Sequence, residues 1–535
     1  MHTTGEMGST LRRGCFLGMS LLFSLVVGCT SGEPRKTQVS REPLSSKTQE
    51  GGQPLADWVG VIGTGQSLSV GVAAGMPIST VQPFNNLRLQ DDGPDPRYPL
   101  DGGGDLSSVP LTEPFRPPLP GWPDNQYPNN IAGESPNAGM ANEITRLWTD
   151  RSGTDFVTIH SVVGWSGRCL LDIDKSNPNT RAYPGGLSEA RTFKRFADEA
   201  GKSFAYGAVI LTHGECDASN PGYEAGLHQL WLDYNDDLKA ITGQSQDIPL
   251  LISQQSTINV PSGGSAVAVW RLGVDYPGEA YCVGPKYQYQ YASDNLHLEA
   301  SGYRRLGEKY AEVFDQVVNQ GAFWKPLQPN SAALTGSQIW LTFDVPNPPL
   351  NWDENISRPH QEVHTAWANG RGFEVQDSTG ELTILCADIV SDDTVLISLA
   401  AEPTGSNLML RYALTQDGSG IQGGTDLGMR GQLRDSDNLV GHDVETLRVN
   451  VTSGSPVISS TTPNAFITRA GRDVVESKQL PEGTIVRRKN SNSQVTLSTD
   501  WPGPSGTADL TFHHDLHNYC VQFELALQSY NEIGL

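Results

Sequence analysis

Positive charge is scarce in this sequence, and the scarcity argues against two classes of partner. The chain has 37 Lys and Arg residues against 60 Asp and Glu, a formal net charge of −23. Nucleic acids and anionic lipid surfaces both favour clustered Lys and Arg, so we expect no nucleic-acid partner. Neither a phosphate-binding glycine loop with its lysine nor a Rossmann fingerprint occurs. We therefore expect no cofactor and no metal.

The apolar stretch near the N-terminus is too short to span a bilayer comfortably. It runs from Phe16 to Val27 and follows Arg12 and Arg13. A short apolar core behind a positive region is typical of an export signal.

The end of that stretch predicts a lipid anchor. Val26-Val27-Gly28-Cys29 resembles the bacterial lipobox, in which the cysteine is acylated and becomes the new N-terminus. We interpret 1–29 as a lipoprotein signal with an acylated Cys29, and the polar residues 30–55 as a flexible linker. The protein would then touch the membrane only through this anchor. No Asp follows the cysteine, which by analogy favours the outer membrane or cell surface. An ordinary signal or an uncleaved anchor is the alternative.

Cysteine is also scarce, with seven in 535 residues. Cys15 and Cys29 belong to the signal, and export permits disulfides among the rest. Because five is an odd number, at least one thiol should be free. We predict a Cys169–Cys216 bond, since each lies two residues beyond a glycine of the candidate site. The pairing is otherwise open among Cys169, Cys216, Cys282, Cys386 and Cys520.

The length predicts two or three domains, the first over 56–325. There, apolar strand-like runs alternate with helical patterns, which indicates an α/β fold with a parallel sheet covered on both faces. In such sheets the chemistry collects at the carboxyl ends of the strands. The predicted strands are Trp58–Ile62, Phe156–Val163, Phe204–Leu211 and Ile248–Ser253, and the predicted helices are 186–200, 223–241 and 299–319.

Two stretches depart from that rhythm. Residues 84–139 are rich in Pro, Gly and Asp with interleaved aromatics, and form either a wall of the site or a surface insertion packed on its own aromatics. Residues 330–535 show short alternating runs divided by turn residues, so we predict an all-β accessory region. Within it, 444–512 resembles short β repeats of phage tail and bacterial surface proteins. It is either a small inserted β domain or part of a continuous second sandwich.

Ser67 is the candidate nucleophile. An apolar strand breaks into Gly65-Gln66-Ser67, and a serine at such a turn can expose its hydroxyl at the sheet edge. A serine hydroxyl becomes a nucleophile at neutral pH when an imidazole takes its proton and a carboxylate holds that imidazole in one tautomer. Of the eleven histidines, only His297 has an aspartate, Asp294, three residues before it.

The oxyanion formed by attack on an ester needs preset donors. We predict the backbone N–H groups of Ser67 and Gly167, together with a ring N–H of His213. We predict that three further residues hold these groups in position without reacting themselves: Gln66, Glu215 and Asp217.

In their order, these motifs resemble the SGNH (GDSL-type) hydrolase superfamily, and within it the sialate O-acetylesterase-like and acetylxylan-esterase-like branch. Gly65-Gln66-Ser67, Ser166-Gly167 and Asp294-x-x-His297 match its blocks over roughly 57–320. The branch commonly has glutamine where this chain has His213. The resemblance implies a flavodoxin-like three-layer α/β/α domain, here followed by the β region. It also implies metal-free hydrolysis of O-acyl groups, usually acetyl, on carbohydrate through an acyl-serine intermediate.

The sequence is also compatible with two other functions. One is an esterase, lipase or thioesterase for another small acyl ester, and the other is a non-catalytic glycan-binding surface lipoprotein. Arg168 would contact an acidic sugar or pair with a structural carboxylate. His513, His514 and His517 lack the helical spacing of a zinc protease motif, so we expect no metal there.

Overall fold

The structure, a computed structural model, describes residues 53–91, 106–119, 121–261, 263–527 and 533–534. The predicted signal, Cys29 and most of the predicted linker lie outside them. The described residues belong to one compact unit of the chain. Within them, no helix combines the length and apolar character needed to cross a membrane.

The first half of the chain is built on a seven-stranded sheet. Its strand order is β3-β2-β4-β1-β5-β6-β7. All neighbours pair in parallel except β3, which runs antiparallel to β2 at one edge. β1 and β5 read as nearly continuous apolar runs because both faces of a parallel sheet are covered. The strands are β1 (Trp58–Gly65), β2 (Leu87–Asp91), β3 (Leu106–Pro110), β4 (Val157–Val162), β5 (Phe204–Thr212), β6 (Leu250–Ser253) and β7 (Ala280–Gly284).

Helices cover both faces of this sheet. The helices are α1 (Pro136–Ser152), α2 (Leu170–Ile173), α3 (Ala182–Glu199), α4 (Tyr223–Thr242), α5 (Gly264–Asp275) and α6 (Ala300–Phe314), which continues as a π-helical turn, Asp315–Asn319. α1 and α6 pack on the face that carries Val59 and Val61. α3, α4 and α5 pack on the face that carries Ile62.

The prediction of an α/β region with a parallel sheet is confirmed, and the structure adds elements that the sequence did not reveal. α1, α5 and β7 were not predicted. Residues 84–139 were treated as lacking elements, but they supply β2 and β3. The start of α1 has a recognisable signal, because Ser135 accepts a hydrogen bond from Asn137 N–H and Pro136 occupies the first turn.

The second half is all-β, as predicted. β13-β14-β9-β8-β24 form a five-stranded sheet, β12-β11-β15-β23 a four-stranded one, and β10-β16 a pair. Side chains of the two larger sheets, such as Ile397 and Leu410, share one hydrophobic core. These strands are β8 (Gln328–Thr335), β9 (Gln338–Asp344), β10 (Asn351–Trp352), β11 (Phe373–Asp377), β12 (Gly380–Glu381), β13 (Ile384–Ser391), β14 (Thr394–Leu399), β15 (Leu408–Tyr412), β16 (Leu433–Arg434), β23 (Phe523–Leu527) and β24 (Ile533–Gly534).

A separate six-stranded antiparallel sheet lies between β16 and β23 in the chain. Its order is β19-β22-β17-β18-β21-β20, and it encloses its own hydrophobic cluster around Trp501 and Phe512. The predicted bounds, 444–512, stay a prediction. The strands are β17 (Glu445–Val451), β18 (Val457–Ser459), β19 (Val474–Glu476), β20 (Val486–Ser491), β21 (Gln494–Leu497) and β22 (Gly506–His513).

The β region packs closely on the α/β region. Tyr287 OH donates to the Cys520 carbonyl at 2.7 Å, and the Trp270 and Phe523 rings lie 5.9 Å apart. The polar face of α6 is buried as well, because its Glu308 is 2.9 Å from His442 Nδ1 and also pairs with His514. The β region therefore completes the covering of α6.

Candidate active site

Ser67 lies at the carboxyl end of β1, in a turn that only glycine permits. Gly65 has a φ of +133°, and a Cβ there would come within 2.2 Å of the Thr212 carbonyl oxygen on β5. Gln66 N–H donates to the same carbonyl at 3.2 Å. The tight turn ends β1 and begins a short 3₁₀ helix, Ser67–Ser69. It thereby brings the serine to the edge of the sheet.

The structure brings Ser67, His297 and Asp294 together. Ser67 Oγ is 2.8 Å from His297 Nε2, and His297 Nδ1 is 2.6 Å from Asp294 Oδ2. Because a carboxylate only accepts hydrogen bonds, Nδ1 carries the proton. Nε2 is then free to accept the proton of the serine hydroxyl.

Hydrogen bonds from the backbone of its own loop hold the Asp294 carboxylate in position. Its Oδ1 accepts the backbone N–H of Leu296 and of His297, each at 3.0 Å. Asn295 between them adopts a left-handed φ of +56°. Burial by itself would raise the pKa of the Asp294 carboxyl, but the hydrogen bonds from the His297 ring and from these two amides lower it below its usual value. The carboxylate is therefore held ionised beside the imidazole.

The Ser166-Gly167 turn lies next to Ser67. Trp165 N–H donates to the Gly65 carbonyl at 2.9 Å, which ties the segment after β4 to the end of β1. Gly167 has a φ of +72° and is exposed. Within the described part of the chain, the amides of Ser67 and Gly167 have no hydrogen-bond acceptor. Both amides are thus free to donate to a ligand.

The predicted oxyanion role of the His213 ring is corrected. His213 is fully buried, with Nε2 3.0 Å from the Arg168 carbonyl oxygen and Nδ1 2.8 Å from Tyr223 OH. A carbonyl only accepts, so Nε2 carries the proton, and no ring N–H remains for a ligand. Burial lowers the pKa of His213, which favours this neutral form. His213 instead holds the backbone directly after Gly167.

A buried ion pair that was not predicted supports Gln66. The Gln66 amide donates to Glu215 Oε2 at 2.9 Å, and Lys286 Nζ lies 2.8 Å from Glu215 Oε1. The Lys286 and Glu215 side chains are 0% and 3% exposed. Glu215 therefore lies between the Gln66 amide and the Lys286 ammonium and accepts a hydrogen bond from each. Lys286 was missed because its position beyond β7 became visible only with that strand.

The loops after β4 and β5 are tied together twice. Cys169 and Cys216 form the predicted disulfide, and Asp217 Oδ2 accepts the Leu170 N–H at 2.7 Å at the start of α2. Cys282 and Cys520 remain as buried thiols, so the expectation of at least one free cysteine is also confirmed. These ties hold the Gly167 turn against the His213 segment.

A loop of the β region contacts the Asp294–His297 turn. Gln422 Oε1 accepts a hydrogen bond from the Asn295 side-chain amide at 3.2 Å. At Gly423, a Cβ would come within 2.2 Å of the Tyr291 ring, so only glycine allows this close approach. The sequence offered no local signal for this contact.

The described part of 84–139 braces the site from behind. Asn130 Nδ2 donates to the carbonyl oxygens of Val162 and Gly164 at 3.1 and 2.9 Å. Arg116 forms a buried ion pair with Glu189 at 2.8 Å. The aromatic side chains Phe115 and Tyr127 are buried against the α/β region, Phe115 in a cluster with Val70 and Val162 and Tyr127 in the cluster that includes Ile62.

Arg168 and the histidines at 513–517 were the remaining candidates for a ligand or metal site, and the structure gives them contacts within the protein. The Arg168 guanidinium lies over the Trp165 ring, 4.5 Å from its centroid. His514 contacts Glu308, and His513 Nδ1 lies 3.2 Å from Asp515. Within the described residues, no set of three potential metal ligands is grouped.

The fold and site define an α/β protein that carries a Ser–His–Asp arrangement at the carboxyl edge of its sheet. No protein-family model and no curated sequence matches the chain. Solved structures that match the chain include a carbohydrate acetylesterase from Xanthomonas citri, with 14% identity and a TM-score of 0.39 over 67% of this chain and 75% of that one.

Two further solved structures each match 48% of this chain. A protein from Arabidopsis thaliana has 16% identity and a TM-score of 0.33 over 98% of its own chain. The carbohydrate acetylesterase Est24 from Sinorhizobium meliloti has 14% identity and a TM-score of 0.25 over 97% of its chain. Scores this low do not identify a family or an activity.

Proposed function

We propose that this protein is a serine esterase of the SGNH (GDSL-type) superfamily that removes O-acyl groups, acetyl above all, from carbohydrate. The observation that carries the proposal is the hydrogen-bond chain from Ser67 Oγ through the His297 ring to Asp294, with distances of 2.8 and 2.6 Å. With the short edge hairpin β2–β3 set aside, the five remaining parallel strands, β4-β1-β5-β6-β7, follow the order 2-1-3-4-5 when they are renumbered along the chain. That order is the flavodoxin-like one and supports the superfamily assignment.

In the first half of the proposed reaction, Ser67 Oγ attacks the acyl carbonyl carbon while His297 Nε2 takes the hydroxyl proton. Asp294 stabilises the imidazolium through Nδ1–H. The amides of Ser67 and Gly167 donate to the oxyanion, each such donor contributing about 3 kcal/mol. The tetrahedral intermediate then expels the sugar oxygen, which receives the proton from His297. An acyl-serine ester and the free sugar hydroxyl result.

In the second half, water attacks the acyl-serine carbonyl and His297 accepts a proton from that water. Collapse of the second tetrahedral intermediate returns the proton to Ser67 Oγ and releases the carboxylic acid. Ser67 and His297 are mostly buried, with 5% and 9% of each residue's surface exposed. This burial limits competing hydrogen bonds from solvent to the reacting groups.

We also propose that Cys29 carries a lipid anchor, which would place the enzyme on the outer membrane or cell surface. This proposal depends on the lipobox-like Val26-Val27-Gly28-Cys29 alone. Export of a Cys29→Ser variant in a bacterial host, followed by membrane fractionation, tests it. The variant should leave the membrane fraction, and retention there would contradict acylation.

The central experiment compares wild type with Ser67→Ala on 4-nitrophenyl acetate and on acetylated xylan. We expect the substitution to lower kcat on the order of 10⁵-fold, because a nucleophile has no substitute in this mechanism. Ser69→Ala is the matched control. Ser69 is buried in the same turn and donates to the Gln66 carbonyl at 2.6 Å.

Intact-mass analysis of the quenched reaction should reveal an acylated wild-type chain and acylated Ser69→Ala, but no acylated Ser67→Ala. Equal activity of Ser67→Ala and wild type would reject the esterase proposal. Inertness of wild type toward every acyl ester would instead favour the non-catalytic binding protein. A preference for long-chain 4-nitrophenyl esters or thioesters over acetylated glycans would favour the other esterase class.

A further inference from the structure

Two clefts flank the turn that carries Asp294 and His297. Residues 290–299, here called the Asp–His hairpin, are closed by the Glu299 N–H to Gln290 carbonyl bond at 3.0 Å and the Ala292 N–H to His297 carbonyl bond at 2.8 Å. Asp294 at its tip has a side chain 43% exposed. The hairpin therefore projects to the surface with open space on either side.

The first, the sheet-side cleft, has a volume of about 400 Å³ and lies between the hairpin and the six-stranded sheet. Ala292 and Ser293 line one side, directly before Asp294. The opposite side is the β20–β21 turn, from Lys489 to Asn492. Its floor is the 73–76 turn, which is tied to α6 by the Ala300 N–H to Ala74 carbonyl bond at 3.1 Å.

The second, the loop-side cleft, has a volume of about 190 Å³ and lies between the hairpin and a loop of the β region. Tyr291 and Asn295 of the hairpin line one side. Residues 423–427 of the β region line the other. The hydrogen bond from Asn295 to Gln422 fixes this loop against the hairpin.

Both clefts have the chemistry of carbohydrate binding. Lys489 Nζ makes one hydrogen bond within the described residues, to the Ile467 carbonyl at 3.1 Å, and an ammonium has three N–H groups. Asn492 and Thr425 add amide and hydroxyl groups. Each cleft also exposes one large apolar side chain, Met76 at 60% and Leu427 at 48%. Sugars present hydroxyl groups at their edges and C–H groups on their faces, and this mixture matches both.

The charges narrow the class of sugar. Glu299 lines the sheet-side cleft near Lys489, and Asp426 lines the loop-side cleft. With Asp294 between them, the charged residues that line the two clefts and the tip of the hairpin carry one positive and three negative charges. A polyuronate chain would be repelled there, whereas a neutral chain would not.

We propose that the two clefts are subsites for the sugar units on either side of the esterified one, so that the substrate is an acylated neutral oligo- or polysaccharide lying across the Asp–His hairpin. This inference rests on the proposed esterase function. The β region then contributes directly to substrate binding. Two hydrogen bonds of 2.8 and 2.6 Å link Ser67 through the His297 ring to Asp294. Asp294 lies in the chain between Ser293, which lines the sheet-side cleft, and Asn295, which lines the loop-side cleft.

To test the proposal, a tryptophan is introduced into each cleft separately in the full-length protein. Asn492→Trp occupies the sheet-side cleft and Thr425→Trp the loop-side cleft. Asn450→Trp is the control, because Asn450 is exposed on β17 of the same six-stranded sheet and lines neither cleft. The substrates are acetylated xylohexaose, acetylated xylose, acetylated hexagalacturonate and 4-nitrophenyl acetate.

We expect wild type to have a kcat/KM about 10-fold higher on acetylated xylohexaose than on acetylated xylose, the gain of one modest contact of about 1.4 kcal/mol. Since the two clefts share this gain, each cleft-filling variant should lose about 3-fold on the hexasaccharide through KM. Its rates on acetylated xylose and 4-nitrophenyl acetate should stay at wild-type values, which also shows that it is folded. Asn450→Trp should behave as wild type throughout.

Three results would overturn the inference: equal kcat/KM for the hexasaccharide and the monosaccharide, unchanged hexasaccharide kinetics in both cleft-filling variants, or a preference for acetylated hexagalacturonate. Failure of the esterase proposal is distinguishable. In that case 4-nitrophenyl acetate hydrolysis by wild type would be absent or insensitive to Ser67→Ala.

Discussion

The buried ion pair behind Gln66 makes a sharp prediction about stability. Lys286 Nζ lies 2.8 Å from Glu215 Oε1, and both side chains are almost fully buried, at 0% and 3% exposure. Lys286→Met leaves the carboxylate without its counter-ion. Breaking a buried pair in this way costs about 3–5 kcal/mol of the free energy of unfolding, because the remaining charge stays desolvated. We expect a loss of this size.

The assay is guanidinium unfolding followed by tryptophan fluorescence, with free energies from linear extrapolation. The double variant Glu215→Gln/Lys286→Met removes both charges and keeps an acceptor for the Gln66 amide. Its loss of unfolding free energy should be about 2 kcal/mol smaller than the sum of the losses in the two single variants. Lys194→Met is the matched control, because Lys194 pairs with Asp198 at 2.6 Å with 29% and 59% exposure.

Exposed pairs of that kind contribute about 0–1 kcal/mol. If Lys286→Met costs no more than Lys194→Met, or if the single effects add without coupling, the pair does not support the site as described. Because Gln66 directly precedes Ser67, kcat should fall together with stability in Lys286→Met. Recovery of kcat in the double variant would tie the two effects to the same carboxylate.

Two further predictions concern histidines. His213→Phe keeps the ring near Tyr223 but loses the hydrogen bond to the Arg168 carbonyl, so a misplaced Gly167 amide should lower kcat by about 10- to 100-fold. His213→Gln, whose amide can donate to that carbonyl, should retain more activity, and wild-type kcat in His213→Phe would refute the positioning role. For His442, burial opposes protonation, but the Glu308 charge and the hydrogen bonds to Glu143 and Glu308 together outweigh it and raise the pKa to about 9. The protonated ring therefore stabilises the fold fully below about pH 6.5, by about 3 kcal/mol at 1.4 kcal/mol per pKa unit, and this is lost as the pH rises through 9. Melting temperature should fall less steeply between pH 7 and 10 in His442→Gln than in wild type, and identical slopes would contradict the assignment.

Elements with strong periodicity were predictable, and elements with irregular composition were not. β1 and β5 are apolar along their length because both faces are covered, which leaves a clear pattern. β2 and β3 form a short hairpin at the edge of the sheet, in a stretch rich in Pro, Gly and Asp. The pairing of β2 with β3 and with β4 depends on tertiary structure and outweighs the weak local signal of both strands.

The sequence alone determined the parts of the candidate site that depend on local spacing. Ser67 follows a strand and a glycine turn, and Asp294 lies three residues before His297, close enough for its carboxylate to reach the ring. The Cys169–Cys216 bond was also predictable, since both residues follow strands that end at the same edge of the sheet. Short-range geometry of this kind is fixed by the covalent chain.

Tertiary structure alone decided what surrounds these residues. Lys286 meets Glu215 from 71 residues away, and Gln422 meets Asn295 from 127 residues away. The His213 ring turned from the predicted oxyanion position to the Arg168 carbonyl, 45 residues away, because burial requires partners for both of its nitrogens. The direction of a buried polar side chain is set by whichever partners the packed fold supplies, and no spacing along the chain encodes that choice.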